Sequence, residues 1–282
     1  MIKCKNVKKS FGAHEVLKDI GFEAARGSIF GLLGPSGAGK TTLIRILTGQ
    51  IAPDGGNIRV MGMDPQALSG KDKKHFGIMM DNFGLYERFS CIDNLGMFAD
   101  LYGISRERAL SALREVGLTD AAKRPASDLS KGMRARLQLA RAFMHEPELI
   151  FLDEPTAGLD PQTMKGIHRF ILEKKKSGAT IFLTTHNMEE AYRLCDRIVL
   201  LHQGTIVEAG KPEEICRRYD HQKRILIHLA DGRDAVYERG GKDAEEICKL
   251  LRNEKVETIH STEPTLESVF LELTGKNLQE DA

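Results

Sequence analysis

The residues Gly34-Pro35-Ser36-Gly37-Ala38-Gly39-Lys40-Thr41 follow the spacing G-x-x-x-x-G-K-[ST]. Glycines let the backbone fold tightly enough to turn several N–H groups inward around an anion. A helix beginning at Lys40 adds its positive N-terminal end to the same place. Lys40 can then reach the terminal phosphates of a nucleotide, and the Thr41 hydroxyl can ligate Mg²⁺. Thr42, next in the chain, joins the same nucleotide-binding set. The competing reading is a plain glycine-rich turn. Context decides against it: a strand, Ser28–Leu33, precedes the glycines, and a helical pattern, Lys40–Gly49, follows them.

A second group of residues supplies what a bound triphosphate would need. Glu148-Leu149-Ile150-Phe151-Leu152-Asp153-Glu154 is an apolar run ending in two carboxylates. Such a run suits a parallel strand buried on both faces, and ligands of parallel sheets collect beyond the carboxyl ends of the strands. Asp153 is placed to hold Mg²⁺, directly or through water. Glu154 is placed to polarise an attacking water, which requires a carboxylate rather than an amide. His186 comes after the strand Ile181-Phe182-Leu183-Thr184 and should reach the same edge, near a γ-phosphate or the water.

The rest of the chain reads as the frame for these groups. Strand patterns at Ile2–Val7, Asn57–Met61 and Phe76–Asp81 lead into a helical block over about 84–146. Within it Ile92, Leu95, Phe98, Ala99 and Tyr102 fall at helical spacing behind the capping pair Ser90 and Asp93. Ser105 is expected to cap a second helix carrying Leu110, Leu113 and Val116, and a third starts near Ser130. Strands and helices then alternate: Leu149–Asp153, Pro161–Lys176, Thr180–Thr184, Asn187–Cys195, Ile198–Leu201. That alternation predicts an α/β fold, a mainly parallel sheet covered by helices. After Gly210 the pattern changes to two short strands, Ile225–Leu229 and Asp234–Glu238, and helices at Ala244–Leu251 and Leu266–Leu273. We read this tail as a small α+β accessory domain, giving a division at 1–215 and 216–282.

Composition narrows the classes. Hydrophobic residues make up 41% and charged residues 29% of the 282, as in a folded globular protein. No apolar run approaches the ~18–20 residues of a membrane span, and the opening Met1-Ile2-Lys3-Cys4-Lys5-Asn6 lacks a signal peptide's apolar core. Forty-one basic side chains against 40 acidic leave a formal charge of +1. A general nucleic-acid binder would carry a basic excess, so no nucleic-acid partner is expected. The five cysteines are scattered, with no C-x-x-C spacing, as in a reduced cytoplasmic protein without a disulfide framework or thiolate metal site.

Leu129-Ser130-Lys131-Gly132-Met133, followed by the helix Arg134–Met144, resembles the L-S-G-G-Q signature of the ATP-binding cassette (ABC) family. With Gly34–Thr41, Leu149–Glu154, Gly158-Leu159-Asp160 and His186, the motifs of that ATPase domain occur in order over roughly the first 215 residues. The resemblance implies a P-loop ATPase core with an inserted helical subdomain, working as a head-to-tail pair. Each ATP would then lie between the cradle of one subunit and the signature of the other. A γ-phosphate is well received by Ser130 and the Gly132 N–H at a helix start. The resemblance also places Asp160 at the seam between subunits and stacks Phe11 on adenine. Three positions depart from the pattern. Asp81 stands where the family commonly has glutamine; it can approach Mg²⁺ but lacks the amide donor and brings negative charge toward the phosphates. Lys131 and Met133 replace a glycine and the glutamine of the signature.

A chain without a membrane span would need separate permease subunits in order to transport, and would sit on the cytoplasmic face of the membrane through them. The stretch Asp81–Tyr102, with Phe83, Leu85, Tyr86 and Phe89, matches the region where family members meet a permease. The segment Glu263–Gly275 resembles the end of ATPase subunits from bacterial drug, antibiotic and peptide exporters. Two rival functions stand beside this one. The first, a soluble ABC-type ATPase acting on ribosomes or DNA, fits poorly with a single cassette whose signature follows the cradle by fewer than ninety residues. The second is a nucleotide-dependent interaction switch with little hydrolysis. Glu154, His186 and Ser130 argue against it, whereas Asp81 favours it.

Overall fold

The computed structural model describes residues 1–80, 84–239, 241, 243–253 and 255–275. In chain order its elements begin with β1 (Ile2–Phe11), β2 (His14–Ala24), β3 (Ile29–Leu33), α1 (Lys40–Leu47), β4 (Gly55–Val60), α2 (Gly70–Lys73) and β5 (Phe76–Met79). The helical block holds α3 (Cys91–Tyr102), α4 (Arg106–Glu115) and α5 (Lys131–Phe143). Then come β6 (Leu149–Asp153), α6 (Pro161–Lys176), β7 (Thr180–Thr185), α7 (Met188–Leu194), β8 (Arg197–His202), β9 (Thr205–Gly210) and α8 (Pro212–Arg218). The tail comprises β10 (Arg224–Leu229), β11 (Asp234–Glu238), α9 (Ala244–Arg252), β12 (Val256–Ser261) and α10 (Leu266–Thr274).

The central sheet has the order β5-β6-β7-β3-β8-β9, parallel throughout except for β9, which runs against β8. Alternate residues of its strands feed two separate cores. Ile29, Leu33, Ile150, Leu152, Ile181 and Leu183 join the core shared with α3 to α8 and α10. Phe30, Leu32, Leu149, Phe151 and Phe182 join the core under α1 and the antiparallel sheet β2-β1-β4. Burial on both faces explains why these strands read as unbroken apolar runs. Stacked and tilted rings of Phe22, Phe30, Phe182 and Phe151 run through the second core, with neighbouring centroids 4.9, 5.6 and 5.8 Å apart.

The strand β2 is missing from the sequence reading for a physical reason. It carries Lys18, Asp19 and Glu23 among its apolar residues, and its pairing with β1 slips register three times. Those slips break the two-residue period on which strand recognition depends. In the helical block Ser90 does cap α3 through the Asp93 N–H at 3.2 Å. Ser105 begins α4 without a side-chain cap bond, and Leu110 is exposed rather than part of the buried face.

The tail forms its own antiparallel sheet, β11-β10-β12. Its last helix returns to the main body, where Leu266, Val269 and Phe270 are buried in the core that also contains Ala191 and Leu194 of α7. Arg239 links the two ends of the tail, pairing with the buried Asp220 and with Glu263 at 3.4 Å.

Candidate functional site

Parallel order places the carboxyl ends of β3, β6 and β7 side by side, and the chemical groups of the chain collect there. The turn after β3 closes on itself. A Cβ on Gly34 would lie 2.2 Å from the Leu201 carbonyl oxygen, and Gly39 adopts φ 106°, with a Cβ there 2.7 Å from the Leu17 side chain. No other residue fits either position without displacing backbone or core. Lys40 is buried at the start of α1; its ammonium donates to the Gly34 and Pro35 carbonyls at 2.7 and 3.0 Å and pairs with Glu154 at 3.1 Å.

Asp153, at the end of β6, is buried and accepts from the Thr41 hydroxyl at 2.8 Å and from the Thr184 hydroxyl. The sequence reading missed Thr184, although the β6–β7 register sets it directly opposite Asp153. A hydroxyl facing an expected metal-binding carboxylate across two parallel strands is the signal that could have found it.

Glu154 adopts φ 50°, an uncommon conformation for a side chain of this size, just where the strand turns into a loop. Its Oε1 faces Lys40, and its Oε2 lies 2.8 Å from His186 Nδ1 and 3.3 Å from the His186 N–H. Burial alone would raise the Glu154 pKa. The His186 hydrogen bond and the Lys40 charge outweigh it and hold the carboxyl below its ordinary value. The hydrogen bond from Glu154 raises the His186 pKa, against a smaller desolvation penalty. Both shifts favour an ionised pair.

Phe11, half exposed at the end of the β1–β2 hairpin, lines one cavity of about 420 Å³ with Ser36, Gly37, Lys40, Thr41, Thr42, Asp153 and Glu154. The structure therefore brings Phe11, the glycine turn, both carboxylates and His186 together. Among the described residues the signature segment is not bonded to the glycine turn, although Lys131 lines a cavity of about 220 Å³ with Asp153 and Glu154. Ser130 caps α5 through the Met133 N–H at 3.2 Å, and Leu129 is buried. Among the described residues, no hydrogen bond or ion pair joins 129–133 to 34–42. Lys131 reaches toward Gly158, where a Cβ would meet its ammonium at 2.4 Å. Gly132 lies against Thr163 of α6. Asp160 caps α6, accepting from the Gln162 and Thr163 N–H groups at 3.1 and 2.9 Å. Asp81 and Phe83 lie outside the described residues.

Comparison with known proteins agrees with this arrangement. The ABC transporter family model matches residues 17–157. A fluoroquinolones export ATP-binding protein of Mycobacterium tuberculosis is 37% identical over 270 residues, covering 94% of this chain and 90% of the relative. A linearmycin resistance ATP-binding protein of Bacillus subtilis is 32% identical over 99% of this chain and its own full length. A Nod factor export ATP-binding protein of a Rhizobium species is 36% identical, covering 99% and 98%. Among solved structures, the ATP-binding subunit of an ABC transporter superposes with a TM-score of 0.71 at 31% identity, covering 78% of this chain and 93% of that one. A dimeric ATP-binding cassette in a post-hydrolysis state, bound to ADP and Pi, superposes at 0.68 with 26% identity, covering 75% and 98%. The cradle, the paired carboxylates and these likenesses lead to one conclusion: the chain belongs to the ATP-binding subunits of ABC transporters, a family of ATPases.

Proposed function

We propose that the chain is the energy-coupling ATPase of an export system, acting as one of two ATPase subunits beneath a separate permease. The observation that carries the reading is the joint placement of Lys40, Asp153, Glu154 and His186 at the carboxyl ends of neighbouring strands, while among the described residues no hydrogen bond or ion pair ties the signature, Leu129–Met133, to the cradle of its own chain. One copy thus carries both halves of a composite site, and a second copy would bring its signature to the first copy's cradle. The names of the relatives support export of drug- or antibiotic-like molecules. Among the described residues no helix is long and apolar enough to cross a membrane. That supports a peripheral position on the cytoplasmic face, held through the permease. The exposed pair Tyr86 and Phe89, stacked at 5.3 Å, lies in the stretch assigned to that contact. We divide the chain into an ATPase unit, 1–215, and an accessory unit, 216–282.

In this reading the cradle N–H groups and Lys40 bind the phosphates, and Phe11 offers its ring to the base. Glu154, kept ionised by its partners, accepts a hydrogen bond from the attacking water and orients it toward the γ-phosphate. His186, bound to Glu154 through Nδ1, presents Nε2 to the same phosphate. Thr41 and Asp153 fit Mg²⁺: two hard oxygen donors stand 2.8 Å apart beside the cradle, the small protein share that this ion takes when phosphates and water complete its shell. When bound, the ion would neutralise charge on the phosphate oxygens. Asp160, at the mouth of α6, would meet the facing subunit.

The test is assembly of the Glu154→Gln variant. Saturated with MgATP, it should run as a dimer in light scattering, alone or with its permease. A species that stays monomeric in both settings overturns the composite site.

A further inference from the structure

The side chain of Glu190, in the first turn of α7, is fully buried. Its Oε1 accepts from the Thr156 hydroxyl at 2.7 Å and lies 3.0 Å from His168 Nε2. Its Oε2 is buried without a hydrogen-bond partner. A half-satisfied buried carboxylate costs a fold more than an apolar side chain of the same volume. Stability of the core therefore does not account for it, and its connections offer another reason.

Thr156 lies two residues beyond Glu154, in the loop that ends at Asp160. That loop is tightly wound, with the Ala157 N–H bound to the Glu154 carbonyl and the Leu159 N–H to the Thr156 carbonyl, both at 3.2 Å. His168 lies on α6, the helix that Asp160 caps. Glu190 is in turn tied back toward His186: its N–H donates to the Asn187 side chain at 3.0 Å, and the Asn187 N–H donates to the Thr185 hydroxyl at 3.0 Å. The contacts form a closed circuit. It runs along the backbone from Glu154 to Thr156, across to Glu190, back through the first turn of α7 to His186, and from His186 to Glu154 at 2.8 Å. A closed circuit holds each member's position, whereas an open chain lets its ends drift.

We propose that Glu190 is a positioning residue for hydrolysis, a buried carboxylate whose one bonded oxygen joins the loop carrying Glu154, the helix headed by Asp160 and the helix that follows His186. It touches neither nucleotide nor water in this scheme; it sets the separation of groups that do. The proposal rests on the reading of Glu154 and His186 as the groups acting on the attacking water.

The experiment measures phosphate release, nucleotide binding and melting of the full chain with MgATP, far below the melting temperature. Thr156→Val and Glu190→Ala should each lower kcat by about ten-fold or more while leaving the KM for ATP within about two-fold. The double variant should fall no further than the worse single one, as expected for two ends of one contact. Glu190→Gln, which keeps an acceptor oxygen, should recover activity to within about three-fold of the parent. Thr156→Val retaining a kcat within about two-fold of the parent overturns the proposal, as does a loss confined to the melting temperature. If Glu190→Ala fails to fold, Thr156→Val decides alone. Glu154→Gln is run alongside. If it hydrolyses like the parent, the reading of Glu154 fails; if it is inactive while the Thr156 and Glu190 variants are normal, only the role of Glu190 fails.

Discussion

Glu154 and His186 form a carboxylate–imidazole pair, with 2.8 Å between Oε2 and Nδ1, and the other Glu154 oxygen lies 3.1 Å from the Lys40 ammonium. The carboxylate thus stands between the Lys40 ammonium and the His186 imidazole, one following β3 and the other following β7. This places the group assigned to the water within reach of the group assigned to the phosphates, a geometry that no single segment could produce.

Replacing Glu154 by Gln keeps the shape and removes the charge. Steady-state hydrolysis should fall at least about 100-fold, while equilibrium binding of a fluorescent ATP analogue stays within a few-fold of the parent. Turnover close to the parent's would remove Glu154 from the mechanism.

The pair also dictates a pH profile. His186 has a raised pKa, so its contribution to stability is complete below its ordinary 6.5 and disappears as pH rises through the higher folded value. Glu154 has a lowered pKa, so its contribution is complete above its ordinary 4.5 and disappears only as pH falls through a lower folded value. Between these limits both groups are charged. Activity should therefore hold on the acid side below the usual carboxylate range and decline on the alkaline side above the usual imidazole range. His186→Ala should abolish the alkaline limb and move the acid limb upward, read from kcat across pH.

Chelation of divalent ions should stop phosphate release while nucleotide binding remains measurable. Asp153→Asn keeps the size of the side chain but weakens its oxygen as a ligand. The Mg²⁺ concentration for half-maximal activity should rise about ten-fold, and an unchanged Mg²⁺ dependence would discount Asp153 as a ligand.

Phe182 is fully buried, between Phe30 and Phe151 in the second core, under α1. Phe182→Ala should destabilise the fold by about 3–5 kcal/mol, measured by denaturant unfolding, because the surrounding rings cannot collapse into the void.

The sheet and its site were legible for one shared reason. Strands buried on both faces, such as Leu149–Asp153, announce themselves as apolar runs, and the groups at their carboxyl ends follow by position. Helix starts were legible with a side-chain cap, as at Ser90 and Ser130, and also from the helical pattern where no side chain makes the cap, as at Ser105. Contacts made by register and by distant packing were not. Thr184 gains meaning only beside Asp153, and Glu190, one of two adjacent glutamates on an amphipathic helix, reads as a solvated surface charge until α6 and the loop at Thr156 close over it. The strand β2 was lost to its bulges.

The return of α10 to the main body has a consequence for biosynthesis. Leu266, Val269 and Phe270 seal a strip of interior whose other wall, α7, is made some seventy residues earlier. On the ribosome that strip lacks the cover of α10 while β8 to β12, α8 and α9 emerge. A nascent chain is thus open to chaperones and proteases at that wall until α10 arrives, and a cut just before Leu266 would recreate the same wound in the finished protein.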